Sequence, residues 1–106
     1  MRFVLAAAIS LIAMPAMSDE AAEACQEWRD MAFDVMTDSQ ADVPLPEAMA
    51  KVDSLPEEKR EAAEALIAEA YAYGNYDHEV MKKGLPVEFS ERVFNRCYLG
   101  VRSLMK

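Results

Sequence analysis

The chain has 106 residues, of which 53% are apolar and 28% charged, with only three glycines. That describes one small domain with apolar surface to bury, which excludes collagen-like, low-complexity and disordered classes. Its formal charge is −8, from 11 basic and 19 acidic side chains. No nucleic-acid partner is expected, because phosphate binding needs clustered Lys and Arg in excess.

Residues 1–18 read as an address. Arg2 supplies a short positive start, Phe3 to Met14 is an almost unbroken apolar run, and Pro15, Ala16, Met17 and Ser18 lead into the acidic Asp19-Glu20. Ala16 and Ser18 are the small residues at positions −3 and −1 of a cut after Ser18. This is the layout of a secretory signal peptide, and the run is short for a hydrocarbon core of about 30 Å. The expectation is a periplasmic or secreted protein, cleaved after Ser18, whose mature residues 19–106 form a single helical domain with no membrane span.

Cleavage leaves 88 residues (106 − 18) and removes one positive charge, giving −9. A chain of this size buries only about 60–65% of its unfolded surface and needs a staple. Cys25 and Cys97 both lie in the mature part, 72 positions apart (97 − 25). In an oxidising compartment two thiols allow one intramolecular pairing, and closing so long a loop contributes about 4 kcal/mol in the chain-entropy model. Two free buried thiols or an intermolecular bridge are the alternatives.

From Asp19 to about Thr37 the apolar residues Ala21, Cys25, Trp28, Ala32, Val35 and Met36 recur at helical spacing, with Asp19, Glu20 and Glu23 favouring the helix N-terminus. Thr37-Asp38-Ser39-Gln40 is a polar stop. Pro44 and Pro46 bracket Leu45 in an extended entry to a short helix, Glu47 to Val52, which would bury Leu45, Met49 and Val52. Ser54-Leu55-Pro56-Glu57 reads as a capping box. The helix it opens carries the stripe Ala63, Leu66, Ile67, Ala70 and Tyr73, and Gly74 ends it. Asn75-Tyr76-Asp77 is a turn. A brief helical stretch near Glu79–Lys83 precedes Gly84, and Leu85-Pro86 leads into the last helix. That helix ends around Leu104, with Phe89, Val93, Phe94, Cys97, Tyr98, Val101 and Leu104 on one face. The fold expected is all-α, a bundle of three to four helices. Its terminal helices are joined by one disulfide, and the Leu66/Ile67 helix packs across them.

Chemistry is sparse. Catalysis by a serine needs an adjacent base, yet His78 is the single histidine and no serine lies in an elbow motif. Asp77, His78 and Glu79 are adjacent and cannot converge on one ion, and no zinc or calcium spacing is present. The two cysteines lack the C-x-x-C spacing of a dithiol oxidoreductase. The expectation is a protein that is not an enzyme and has neither metal nor cofactor.

Charge is asymmetric. Residues 19–79 carry four basic and seventeen acidic side chains, a net of −13, and residues 80–106 carry six basic and two acidic, a net of +4. Either the basic last helix docks beside the acidic first helix, or it offers a stripe to an acidic partner or anionic membrane surface. Tyr71, Tyr73 and Tyr76 cluster around Gly74. Because Tyr is a favoured interface anchor, the candidate partner site comprises Tyr71, Tyr73, Tyr76 and His78 together with Arg92 and Arg96 of the last helix.

Cys25 followed by Met31-Ala32 and Val35-Met36, then Val43-Pro44-Leu45, Met49, Leu66-Ile67, Ala70-Tyr71, Phe94 and Cys97-Tyr98, resembles the small exported proteins of unknown function in bacteria and their phages. The resemblance implies export and a Cys25–Cys97 bridge and supplies no activity. A weaker likeness is to the periplasmic acid-stress chaperones, which are small, helical and held by one disulfide near a Trp. Protonating every carboxylate would swing the mature chain from about −9 to about +12. The functional expectation is a non-catalytic periplasmic interaction or inhibitor module that binds another envelope protein. The alternative is an acid-activated chaperone. The oligomeric state is left open.

Overall fold

The computed structural model describes the backbone of residues 2–104 and the side chains of residues 20–100. Four α-helices follow one another, α1 (Arg2–Gln40), α2 (Leu45–Ala50), α3 (Glu57–Ala72) and α4 (Glu79–Leu104), with a 3₁₀ turn at Lys51–Ser54 between α2 and α3. No strand occurs among the described residues. The side chains of residues 1–18, where a signal segment is expected, and those of Val101 and Leu104 lie outside the described residues.

α1 and α4 run antiparallel, and two cross-links fix their register. Cys25 and Cys97 form a disulfide with Cα atoms 5.7 Å apart. Further along, Lys82 Nζ donates to the Gln40 carbonyl at 2.8 Å. Cys25 to Gln40 and Lys82 to Cys97 are both 15 positions (40 − 25 and 97 − 82). The helices therefore stay in step over about 22 Å at 1.5 Å per residue. Between these points the Arg29 guanidinium stands 5.5 Å from the Phe94 ring centroid, a cation–π distance.

The core is built from the stripes the sequence displays. Ala32, Val35 and Met36 of α1 meet Ala63, Leu66, Ile67 and Ala70 of α3 and Leu85, Phe89 and Val93 of α4, with Ala48 and Val52 closing one side. Cys25 is fully buried, whereas Trp28 is only partly so. α3 lies mainly on α1. It reaches α4 through the Arg96–Glu69 ion pair at 3.0 Å and an edge-on Tyr73–Phe89 ring contact at 5.6 Å.

Four local expectations are corrected. The polar stop does not end α1 at Thr37: the helix runs through Gln40, and Ser39 and Gln40 are both buried at 6% exposure. It ends instead in a Schellman motif, with Val43 N–H on Asp38 O and Asp42 N–H on Ser39 O, and Asp42 in the left-handed region at φ 64°. α2 begins at Leu45 with Pro46 in its first turn and ends at Ala50; Val52, in the 3₁₀ turn, is buried as expected and Met49 partly so, but Leu45 is 41% exposed and Ala48 is the residue α2 buries. Proline is tolerated there because the first-turn N–H groups lack helical partners in any case. The capping box is not made: Ser54 Oγ donates to Lys51 O, and Pro56 is the N-cap residue of α3 without a side-chain cap. Finally, the stretch near Glu79–Lys83 and the last helix are one helix, α4, with Gly84 and Pro86 inside it. Pro86 removes one backbone donor, but Leu85, Pro86 and Phe89 are buried, so packing of this face outweighs the breaker residues.

Candidate functional site

The corner singled out from the sequence, residues 71–78, is tied into the fold. Tyr71 Oη donates to Val43 O at 2.7 Å. Tyr73 lies against Phe89 and is hydrogen-bonded by Arg92, which also pairs with Glu88 at 2.9 Å. Tyr76 N–H donates to Gln40 Oε1 at 3.1 Å, and Gln40 Nε2 donates to Gly74 O at 2.8 Å. Asp42, Asn75 and Lys82 complete this network with an Asn75–Asp42 and a Lys82–Asn75 hydrogen bond. Arg96 is paired with Glu69 of α3. His78 is exposed, and its Nδ1 accepts from Val80 N–H at 3.3 Å. Thus Tyr71, Tyr73, Arg92 and Arg96 have their side-chain polar groups engaged inside the molecule around the C-terminal end of α3, and Tyr76 is held there through its backbone N–H.

Among the described residues, the basic side chains of α4 do not pair with acidic side chains of α1; the cross-helix pair of α4 is Arg96–Glu69. What holds α4 to α1 is the disulfide, the buried apolar stripe, the Arg29–Phe94 contact and the Lys82 bond to the Gln40 carbonyl.

A cleft of about 370 Å³ opens on the other side of α1, where it meets the α2–3₁₀ segment and α3. Its apolar lining is Met31, Val35, Ala48, Val52, Leu55, Ala63 and Ile67, and its polar lining is Asp34, Asp38, Lys51 and Ser54. The helical repeat explains the mixture. Met31, Asp34, Val35 and Asp38 follow at i, i+3, i+4 and i+7, so α1 presents two apolar and two acidic residues along one stripe. The 3₁₀ turn swings Lys51 over Asp38, whose carboxylate it meets at 2.7 Å. That bond, followed by the Asp38 charge, holds the Lys51 ammonium above its usual value. Nearby, burial and then the Asp38 charge raise the Tyr71 phenol above its ordinary value.

Asp34 differs from its neighbours. Asp30, Asp34 and Asp38 stand four apart on α1, a spacing at which like charges repel. Gln26 Nε2 donates to Asp30 at 3.0 Å, and Lys51 neutralises Asp38. Among the described residues, Asp34 has no ion pair. The cleft thus has an apolar floor and one uncompensated negative charge at its rim. Sequence reading did not single out Asp30, Asp34 and Asp38; their four-residue spacing beside Met31 and Val35 was the available signal.

A shallower depression of about 340 Å³ lies between α1 and α4, lined by Phe33, Thr37, Gln40, Ala41, Lys82, Lys83 and Pro86. Among the described residues no group of three or more His, Cys, Asp or Glu converges to hold a metal ion, and no helix is long and apolar enough to cross a membrane.

No protein-family model matches the sequence, and no curated protein or solved structure is significantly similar to it.

Proposed function

We propose that the chain is an exported, non-catalytic interaction module of the bacterial envelope that receives a partner protein in the cleft between α1, the α2–3₁₀ segment and α3. The observation that carries this reading is the cleft itself: a space of about 370 Å³ with half-buried Met31 and Leu55 beside the buried core residues Val35, Ala48, Val52, Ala63 and Ile67. That size lies at the lower end of ligand pockets, about 300–1,000 Å³, and suits one or two inserted side chains. The Cys25–Cys97 bridge supports export, since such bonds persist in oxidising compartments. The cleft is favoured over the 71–78 corner because the Tyr71 and Tyr73 hydroxyls, the Tyr76 N–H and the Arg92 and Arg96 guanidinium groups already have internal partners.

The test is affinity capture from an envelope extract at neutral pH with the oxidised protein, run beside Ser54→Trp. Ser54 is exposed and lines the cleft, so an indole there obstructs the opening without entering the core. A protein retained by the unaltered chain and lost with Ser54→Trp supports the reading; equal recovery, or none, overturns it.

A second reading, an acid-activated chaperone, is favoured by how the elements are tied. Lys51–Asp38 holds the 3₁₀ turn to α1, Lys59–Glu27 holds α3 to α1, and Arg96–Glu69 holds α3 to α4. Each of these bonds depends on an ionised carboxylate, whereas α1 and α4 are joined covalently. It requires suppression of client aggregation at about pH 2.5, below the ordinary carboxylate range, and none at pH near 7.

A further inference from the structure

We infer that the cleft is specific for a cationic amphipathic segment, one that inserts an apolar side chain between α1, the 3₁₀ turn and α3 and sets a Lys or Arg against Asp34. This rests on the reading of the cleft as the partner site and names the chemistry of what fills it. Two features point the same way. The floor offers only hydrocarbon and thioether surface from Met31, Val35, Ala48, Val52, Leu55, Ala63 and Ile67, so the inserted group is apolar. The rim holds two carboxylates and one ammonium, and the ammonium is committed to Asp38 at 2.7 Å. Asp34 is left facing the opening with no ion pair among the described residues, one turn from Asp30, which is hydrogen-bonded only by the neutral Gln26 amide.

The surroundings reinforce that sign. Residues 19–79, which build every wall of the cleft, carry a net charge of −13. An anionic segment would be repelled on approach, and a neutral one would leave the Asp34 carboxylate without a counter-charge. A cation beside Asp34 supplies that counter-charge and gains from the acidic field, which accelerates encounter and discriminates between partners. A helix with apolar residues at i and i+4 and a basic residue between them has the required spacing.

The probe is an acetylated, amidated Leu/Lys peptide of roughly 14 residues, about four helical turns, titrated into the oxidised protein at low and moderate salt. Controls replace every Lys with Glu or every Leu with Ser. The expected result is saturable binding of the Leu/Lys peptide alone, with methyl resonances of Val35, Val52 and Ile67 shifting. Asp34→Asn should weaken binding about tenfold, Ser54→Trp should abolish it, and Glu64→Gln, an exposed carboxylate of α3 outside the cleft lining, should leave it unchanged. Equal affinity for Asp34→Asn and the unaltered chain overturns the inference, as do shifts confined to Val80 and Val87 of α4. A concentration-dependent dimer without peptide, lost in Asp34→Asn, would assign the cleft to a second copy and overturn it too. If an envelope protein is captured in a manner that depends on Ser54 but not on Asp34, this inference falls while the interaction reading stands.

Discussion

Gln40 closes the end of the bundle on Gly74: its Nε2 donates to the Gly74 carbonyl at 2.8 Å across 34 positions of sequence. The same side chain accepts from Tyr76 N–H, and the Gln40 backbone carbonyl accepts from Lys82 Nζ. One buried residue at the last turn of α1 thereby sets the exit of α3 with its side chain and meets the first turns of α4 with its backbone carbonyl. Together with the disulfide 15 positions up the helix, it holds α4 in register and leaves the opposite side of α1 to form the cleft.

Gln40→Ala should lower stability by about 1–3 kcal/mol, the cost of stranding polar groups that have lost their partner. Gln40→Glu keeps an acceptor for Tyr76 N–H but sets a carboxylate against the Gly74 carbonyl, so it should not rescue the loss at neutral pH. Urea unfolding midpoints of the two variants check this. An unchanged midpoint in Gln40→Ala would show that the network does not contribute.

The disulfide should contribute more. Replacing both Cys25 and Cys97 by Ser is expected to cost roughly 2–5 kcal/mol, because it releases a 72-residue separation in the unfolded chain. Thermal melting with and without a reductant measures it, and coincident curves would contradict the clamp.

The glycines separate into two kinds. Gly74 adopts φ +77°, so Gly74→Ala should destabilise by about 1–2 kcal/mol through left-handed strain alone, since a Cβ would meet nothing within 4 Å. Gly84 lies inside α4 with equally open space, and Gly84→Ala should stabilise by about 0.5–1 kcal/mol. Opposite shifts in melting temperature are the expected readout.

Alkaline pH should loosen the cleft wall. Lys51 and Tyr71 both have folded-state values raised above their ordinary 10.5 and 10.0, the first chiefly by its bond to Asp38 and the second chiefly by burial. A raised value means the stabilisation is fully present below the unfolded pKa and is lost as pH climbs through the folded one. Stability should therefore fall above about pH 10, and the fall should be shallower in Lys51→Met and in Tyr71→Phe. Denaturant titrations across that range decide it; identical pH profiles would remove the linkage.

Much of the fold was legible because it is written in local periodicity. The Ala32–Val35–Met36 and Ala63–Leu66–Ile67–Ala70 stripes are the core, and two cysteines on inward faces left one internal pairing. Where the reading failed, tertiary contacts overrode local preference. Gly84 and Pro86 signal a break, yet burial of Leu85 and Phe89 carries α4 through them. Ser39 and Gln40 look like a polar stop, yet both are buried, and Gln40 is engaged with a turn 34 residues away. The cleft was hidden for the same reason: its lining comes from α1, α2, the 3₁₀ turn and α3, and no single window of sequence contains it. The tyrosines around Gly74 were visible as a cluster, but the Val43 carbonyl, Phe89 and Arg92 that engage two of them are distant in sequence.

The most direct measurement is the dissociation constant of the captured envelope protein for three forms of the oxidised chain: unaltered, Ser54→Trp and Tyr76→Ala. Binding through the cleft predicts a loss of at least about tenfold, or roughly 1.4 kcal/mol, for Ser54→Trp and an unchanged constant for Tyr76→Ala. The reverse pattern, with Tyr76→Ala abolishing binding and Ser54→Trp leaving it intact, would place the partner on the 71–78 corner and contradict the account.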